Sequence, residues 1–132
     1  MEKPHKRLDA WKLGVELTID IYRITKTFPD DERFGIISQM RRAAASIPNN
    51  IAEGAARQTK KEFINFLCIA QGSLSERDTH LEIAFRLGYL SAGARVEVEA
   101  KMLRIDKLVS GLIRSLKTPH PLPLTPRRGK GK

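Results

Sequence analysis

The chain has 132 residues, 41% of them hydrophobic, and carries a net charge of +9. That length supports one domain with a single core, and no apolar run approaches the ~18–20 residues that span a bilayer. The N-terminus has no apolar segment of signal-peptide kind behind it, and the one cysteine, Cys68, excludes an intrachain disulfide and a cysteine-based zinc cage.

Cytoplasmic localisation, with no membrane association, is the expectation. Arg127, Arg128, Lys130 and Lys132 supply four of the nine net charges and leave +5 on the remainder. Both parts are basic, which favours an acidic partner such as nucleic acid.

Residues 1–7 are polar and read as a flexible N-terminal arm. Asp9 is placed to cap a first helix over 9–27, in which Ala10, Leu17, Ile21, Ile24 and Phe28 form one apolar stripe and Trp11, Val15 and Tyr22 a second. So broad a stripe fits either a well-buried core helix or a bundle helix that also faces another subunit. Pro29 ends it, because the residue before a proline is steered out of helical geometry.

The second helix, 34–55, contains the stretch around which the fold is organised. Met40, Ala44, Ile47 and Ile51 recur at three- and four-residue steps and share one face, with small residues Ala43, Ala45 and Ser46 beside it. Pro48 lacks an N–H, so the Ala44 carbonyl loses its helical partner and the helix is expected to bend; Ser46, Asn49 or Asn50 would satisfy the freed group.

Thr59 and Glu62 form a capping box that opens a third helix over 60–87. Its seam is Phe63, Leu67, Ala70, Leu74, Arg77, Leu81 and Ala84, with Arg77 standing where an apolar residue belongs. Gly72 and Ser73 suggest a point of close approach, Cys68 reads as a small buried hydrophobe, and Gly88 is the stop.

A fourth helix over 92–117 has the seam Val98, Met102, Ile105, Val109, Leu112 and Leu116, with Arg114 and Lys117 complementing the dipole at its end. Residues 118–132 contain four prolines and no acidic side chain, and read as a disordered basic Pro-rich tail. Four amphipathic helices with short connections over 8–117 predict an all-α, up-down-up-down four-helix bundle.

The motifs Leu8-Asp9-x-Trp11-Lys12-Leu13, Phe34-Gly35-x-x-Ser38-Gln39-Met40-Arg41-Arg42-Ala43-Ala44, Ser46-Ile47-Pro48-x-Asn50-Ile51-Ala52-Glu53-Gly54 and Lys60-Lys61-Glu62-Phe63 occur in order. They are followed by Gly72-Ser73-Leu74-x-Glu76 and Leu81-x-Ile83-Ala84-x-Arg86-Leu87-Gly88-Tyr89-Leu90. The pattern, over residues 8–117, resembles the bacterial four-helix-bundle proteins known as 23S rRNA intervening-sequence proteins.

The resemblance implies a four-helix protomer that assembles into a ring-like homopentamer. It also implies kinship with accessory proteins of diversity-generating retroelements, which work with a reverse transcriptase and nucleic acid. Arg77 departs from the usual apolar residue of the pattern, and the tail lies outside it.

Arg41, Arg42, Arg57, Lys60 and Lys61, with Arg127, Arg128, Lys130 and Lys132 of the tail, are the candidate phosphate contacts of a nucleic-acid-binding surface, RNA preferred over DNA and without base specificity. The plainer reading is solvated charges or ion pairs with Glu53 and Glu62. Ser46, Asn50 and Glu53 form a polar cluster at the proline, read as structural rather than catalytic.

Glu76 and His80 share a helix face at four-residue spacing, yet no second ligand pair accompanies them, so no metal is assigned. No phosphate loop, nucleophile elbow or paired-carboxylate motif is present. The sequence therefore predicts a non-enzymatic, cofactor-free protein that binds nucleic acid; the resemblance implies that it does so as a homo-oligomer, with a scaffold ring docking another protein, such as a reverse transcriptase, as the alternative.

Overall fold

The computed structural model of the chain describes residues 4–118, which form four helices: α1 (Asp9–Thr25), α2 (Ser38–Ala55), α3 (Lys60–Arg86) and α4 (Ala92–Lys117). The expectations for residues 1–3 and 119–132 lie outside this range. Residues 4–7 are a single 3-10 turn rather than a loose arm, and the His5 ring stands edge-on to Trp11 at 5.0 Å.

Side-chain pairs fix the direction of each neighbour. Gly14 lies against Pro48, and Arg41 reaches back to Thr25, so α1 and α2 are antiparallel. Gly54 meets Phe63 while Met40 meets Arg77, which makes α2 and α3 antiparallel. Gln71 bonds Ser110 (2.9 Å) and Asp106 (3.3 Å), and Arg95 bonds Glu82 (2.5 Å), giving the same relation for α3 and α4. Lys101 closes the bundle onto α1 through Asp20 (2.7 Å) and Glu16 (3.5 Å).

The core follows the helical periodicity. Leu17, Ile21, Met40, Ile47, Ile51, Leu67, Leu81, Ile105 and Val109 are all fully enclosed. At roughly 1.5–3 kcal/mol for each large apolar side chain, this burial is the main force holding four helices that would be marginal alone. Ile24, Trp11, Leu112 and Leu116 flank it half-buried.

Two glycines set helix separations. A Cβ on Gly14 would lie 3.3 Å from Pro48 Cβ and Cδ, and one on Gly54 would lie 2.8 Å from Phe63 Cδ1 and 2.9 Å from Phe66 Cβ. Gly72, by contrast, faces open space; the close α2–α3 contact midway is made by Ser73, whose hydroxyl meets that of Ser46.

The helices differ from the sequence expectation at several points. Leu8 occupies the N-cap of α1 without a side-chain bond, and Asp9 is instead the first helical residue, where its charge complements the dipole. Before α2, residues 30–32 form a 3-10 turn and 33–37 a wide helical turn with Gly35 at φ −105°, ψ −116°, so the regular helix starts at Ser38 rather than at Phe34. At the proline, Asn50 Nδ2 donates to the Ser46 carbonyl (2.7 Å) and the Ser46 hydroxyl to the Ala43 carbonyl (3.0 Å), so neither goes to Ala44.

Elsewhere local chemistry is visible in full. The Thr59 hydroxyl accepts from the Glu62 amide (3.1 Å) and meets its carboxylate (3.0 Å). α3 ends in a Schellman motif: Tyr89 N–H reaches the Ala84 carbonyl (2.9 Å), Gly88 N–H the Phe85 carbonyl (3.0 Å), and Gly88 takes the positive φ of 81° that the motif requires. The Ser91 hydroxyl caps α4 by accepting from the Ala94 amide (3.1 Å).

Candidate nucleic-acid interface

The five basic residues singled out in the bundle do not form one cluster. Arg41 and Arg57 stand at opposite ends of α2, ~24 Å apart at 1.5 Å per residue.

Arg41 is half-buried and occupied. Its Nε donates to Thr25 Oγ1 (2.9 Å), its Nη2 approaches the Tyr22 carbonyl (3.4 Å), and its guanidinium lies 4.5 Å from the centre of the Tyr22 ring. That side chain ties α2 to the end of α1. Arg42 is exposed, beside a shallow depression lined by Gln39, Ser46 and Glu76.

The other end of the bundle gathers charge. Antiparallel packing brings the start of α1, the end of α2, the start of α3 and the end of α4 to one face, where Lys12, Arg57, Lys60, Lys61, Arg114 and Lys117 are exposed. Asp9, Glu53 and Glu62 are the acidic residues there. Glu53 turns outward to pair with Arg57 (2.7 Å), leaving the polar cluster at Pro48 to Ser46 and Asn50. Arg57 also lies 4.8 Å from the centre of the Phe66 ring.

Sequence reasoning assigned Arg114 and Lys117 only to the helix dipole. The signal that recruits them is the bundle topology, which sets the last turn of α4 beside the first turn of α3.

At the opposite end several charges are paired with one another, while Arg23, Lys26 and Arg33 are exposed there as well. Glu82 accepts from Arg95 and from Arg86 (2.6 Å), and these two bonds hold its carboxyl below the usual range. Glu99 takes the second edge of Arg95 (3.1 Å), and Glu32 accepts from Tyr89 Oη (2.9 Å), which raises the phenol. On the flank, a groove of about 420 Å³ between α3 and α4 is walled by Asp78, Glu99 and Asp106 over Leu74, Met102 and Leu103. Its three carboxylates make this flank locally acidic.

Two further side chains depart from expectation. Cys68 is exposed, not buried. Glu76 and His80 do not share a face toward solvent: Glu76 is exposed while His80 is 7% exposed, its Nδ1 held by Arg77 Nη1 at 3.1 Å. No group of three or more potential metal ligands exists among the described residues.

Residues 6–111 match the family model of the 23S rRNA-intervening sequence protein. The structure is similar to that of a protein of unknown function from the S23 ribosomal protein family of Bacteroides thetaiotaomicron VPI-5482. The two share 25% sequence identity at a TM-score of 0.74, over 80% of this chain and 95% of that one. A comparison with curated proteins finds no match. With its family model covering most of the chain and its four-helix fold shared with that relative, the chain belongs to the 23S rRNA-intervening sequence protein family.

Proposed function

We propose that the protein is a non-enzymatic, homo-oligomeric nucleic-acid-binding module of the cytoplasm, with RNA preferred over DNA and little sequence specificity. The observation that carries this reading is the basic end of the bundle, where cations from α1, α3, α4 and the turn after α2 are exposed together. Contacts of this kind neutralise phosphates, release counterions and position a nucleic acid without reading its bases. Arg42 and the tail residues Arg127, Arg128, Lys130 and Lys132 add to the same attraction. The test is RNA affinity as a function of salt. A steep fall between 50 and 200 mM is expected; an affinity indifferent to salt overturns the reading.

Assembly into a ring-like homopentamer belongs to the same proposal. Ile69, Val96 and Leu103 lie 52%, 64% and 56% exposed on α3 and α4, apolar surface of the kind that a second subunit covers. Light scattering decides it against a protomer mass of 14.9 kDa.

One observation favours the scaffold alternative, in which the ring docks another protein such as a reverse transcriptase. Phe34 is 89% exposed although its segment is anchored by buried Ile36 and Ile37 and by the bond between Glu32 and Tyr89. A large aromatic presented on a fixed support is the form a protein-binding hot spot takes. Complexes that survive nuclease treatment and disappear on Phe34→Ser would put this alternative first.

A further inference from the structure

We infer that the nucleic acid suited to the basic end is a duplex, double-stranded RNA foremost, rather than a single strand; this rests on the nucleic-acid reading above and names its substrate class. The aromatic rings carry the inference. The exposed ones, Tyr22, Phe34 and Phe85, all lie at the end of the bundle away from Lys60 and Lys117. At the basic end Trp11, Phe63 and Phe66 are half-buried, and the ring of Phe66 has the Arg57 guanidinium over it.

Proteins that hold single strands draw ~1–3 kcal/mol per base from stacking on aromatic rings. This end offers cations and no fully exposed ring, so it has less with which to reward an unpaired base. A duplex keeps its bases stacked internally and presents phosphates alone.

Charge spacing points the same way. Helix axes in a bundle lie ~8–10 Å apart, so the end face is about 20 Å across and its cations are mounted on four fixed posts. Lys60 and Lys61 ride on the first turn of α3, Arg114 and Lys117 on the last turn of α4, Arg57 just beyond α2 and Lys12 near the start of α1. Per unit length a duplex carries about twice the charge of one strand. Fixed posts suit a rigid lattice of phosphates on either side of a groove, whereas a flexible strand must give up conformational freedom to match them. No described element projects from this end as a reading helix would, so recognition rests on shape and phosphate position. The wide, shallow minor groove of A-form RNA, lined by 2′-hydroxyls, is open to such recognition.

The experiment uses the full chain, with fluorescence anisotropy on one labelled RNA strand, alone and annealed to its complement, across a salt series. The same titrations are run with Lys60→Gln/Lys61→Gln and with Arg114→Gln/Lys117→Gln. The expected result is a duplex bound about tenfold more tightly, with a log–log salt slope of about −4 or steeper, since the other cations of this end and the tail add to these four residues, and a shallower slope in each double variant. Equal or tighter binding of the single strand, lost in the same variants, overturns the duplex assignment and leaves the nucleic-acid reading standing. Binding of neither form at low salt by protein whose helical circular dichroism is native overturns the nucleic-acid reading itself.

Discussion

Arg77 donates from Nη2 to the main-chain carbonyl of Met40 at 2.6 Å, a bond that joins the middle of α3 to the start of α2 through a fully enclosed guanidinium. A buried arginine ordinarily calls for an acidic partner. Its other bond goes instead to His80 Nδ1, and Nε has no partner among the described residues. Burial pulls the Arg77 pKa down to about 10, with nearby Glu76 pushing weakly the other way. The arginine stays charged at neutral pH, and the protein carries the desolvation cost of that charge.

Replacing the charge with an unbranched apolar side chain therefore removes a penalty while keeping most of the volume. Arg77→Met is expected to leave stability unchanged or raise it by ~1 kcal/mol, whereas Arg77→Ala opens a cavity and costs ~2–4 kcal/mol. Urea titration of both variants checks the pair. A loss of several kcal/mol in the methionine variant would show that the bond to Met40 outweighs the cost of burying the charge.

His80 makes the core sensitive to acid. Desolvation first, then the charge of Arg77, lower its pKa below 6.5, while Glu76 opposes them. The folded protein therefore resists a proton that the unfolded chain accepts. Well above pH 6.5 both states are neutral and the residue contributes no pH dependence. As pH falls below 6.5 the unfolded state gains protons first, so stability drops until the folded histidine also titrates. Protonation also removes the acceptor that Arg77 Nη1 uses. Denaturation midpoints measured from pH 7.5 down to 5 should fall in the wild type and fall less in His80→Asn, whose amide accepts the same bond without titrating.

The same substitution should have opposite signs at two glycines. Gly54→Ala places a methyl within 2.9 Å of two phenylalanines and 3.2 Å from the Phe63 carbonyl, so α2 and α3 must separate. Its expected cost is ~1–3 kcal/mol, more than the helix propensity it gains. Gly72→Ala meets nothing within 4 Å and should stabilise by up to ~1 kcal/mol. Thermal melts of the two variants give the comparison; a stabilised Gly54→Ala would mean the interface has slack.

Arginines at the two ends of α2 should separate in their effects. Arg41→Gln gives up the bond to Thr25 and the Tyr22 ring, and is expected to lower stability by ~1 kcal/mol while leaving nucleic-acid affinity near wild type. Lys61→Gln, on an exposed first turn, should leave stability within ~0.5 kcal/mol and reduce the salt slope of RNA binding by about 1. Anisotropy and urea titration on both variants test the assignment, and an affinity loss confined to Arg41→Gln would reverse it.

Much of the bundle is determined by the sequence itself. Apolar residues at three- and four-residue steps specify which faces are buried, and Thr59 with Glu62 and the glycine at position 88 mark helix limits through bonds made within a few residues. Such signals are local, so they are legible without a fold. The bonds around Pro48 are local to α2, but the sequence does not show which of several candidate groups makes them; the exposure of Cys68 depends on how neighbouring helices pack.

The candidate interface was legible only in part, for the same reason. Lys60 and Lys61 announce themselves as a pair at a helix start. Arg41 and Arg57 look equivalent in the sequence, and each guanidinium lies over a ring; they differ because one is half-buried against Tyr22 and Thr25 while the other is exposed at the far end of α2. Arg114 and Lys117 are ~50 residues from Lys60, and only antiparallel packing of α3 and α4 brings them to the same face. Composition determined that the surface would be basic; the tertiary structure decided where that charge collects, because position in space depends on how helices pair and not on the order of residues along them.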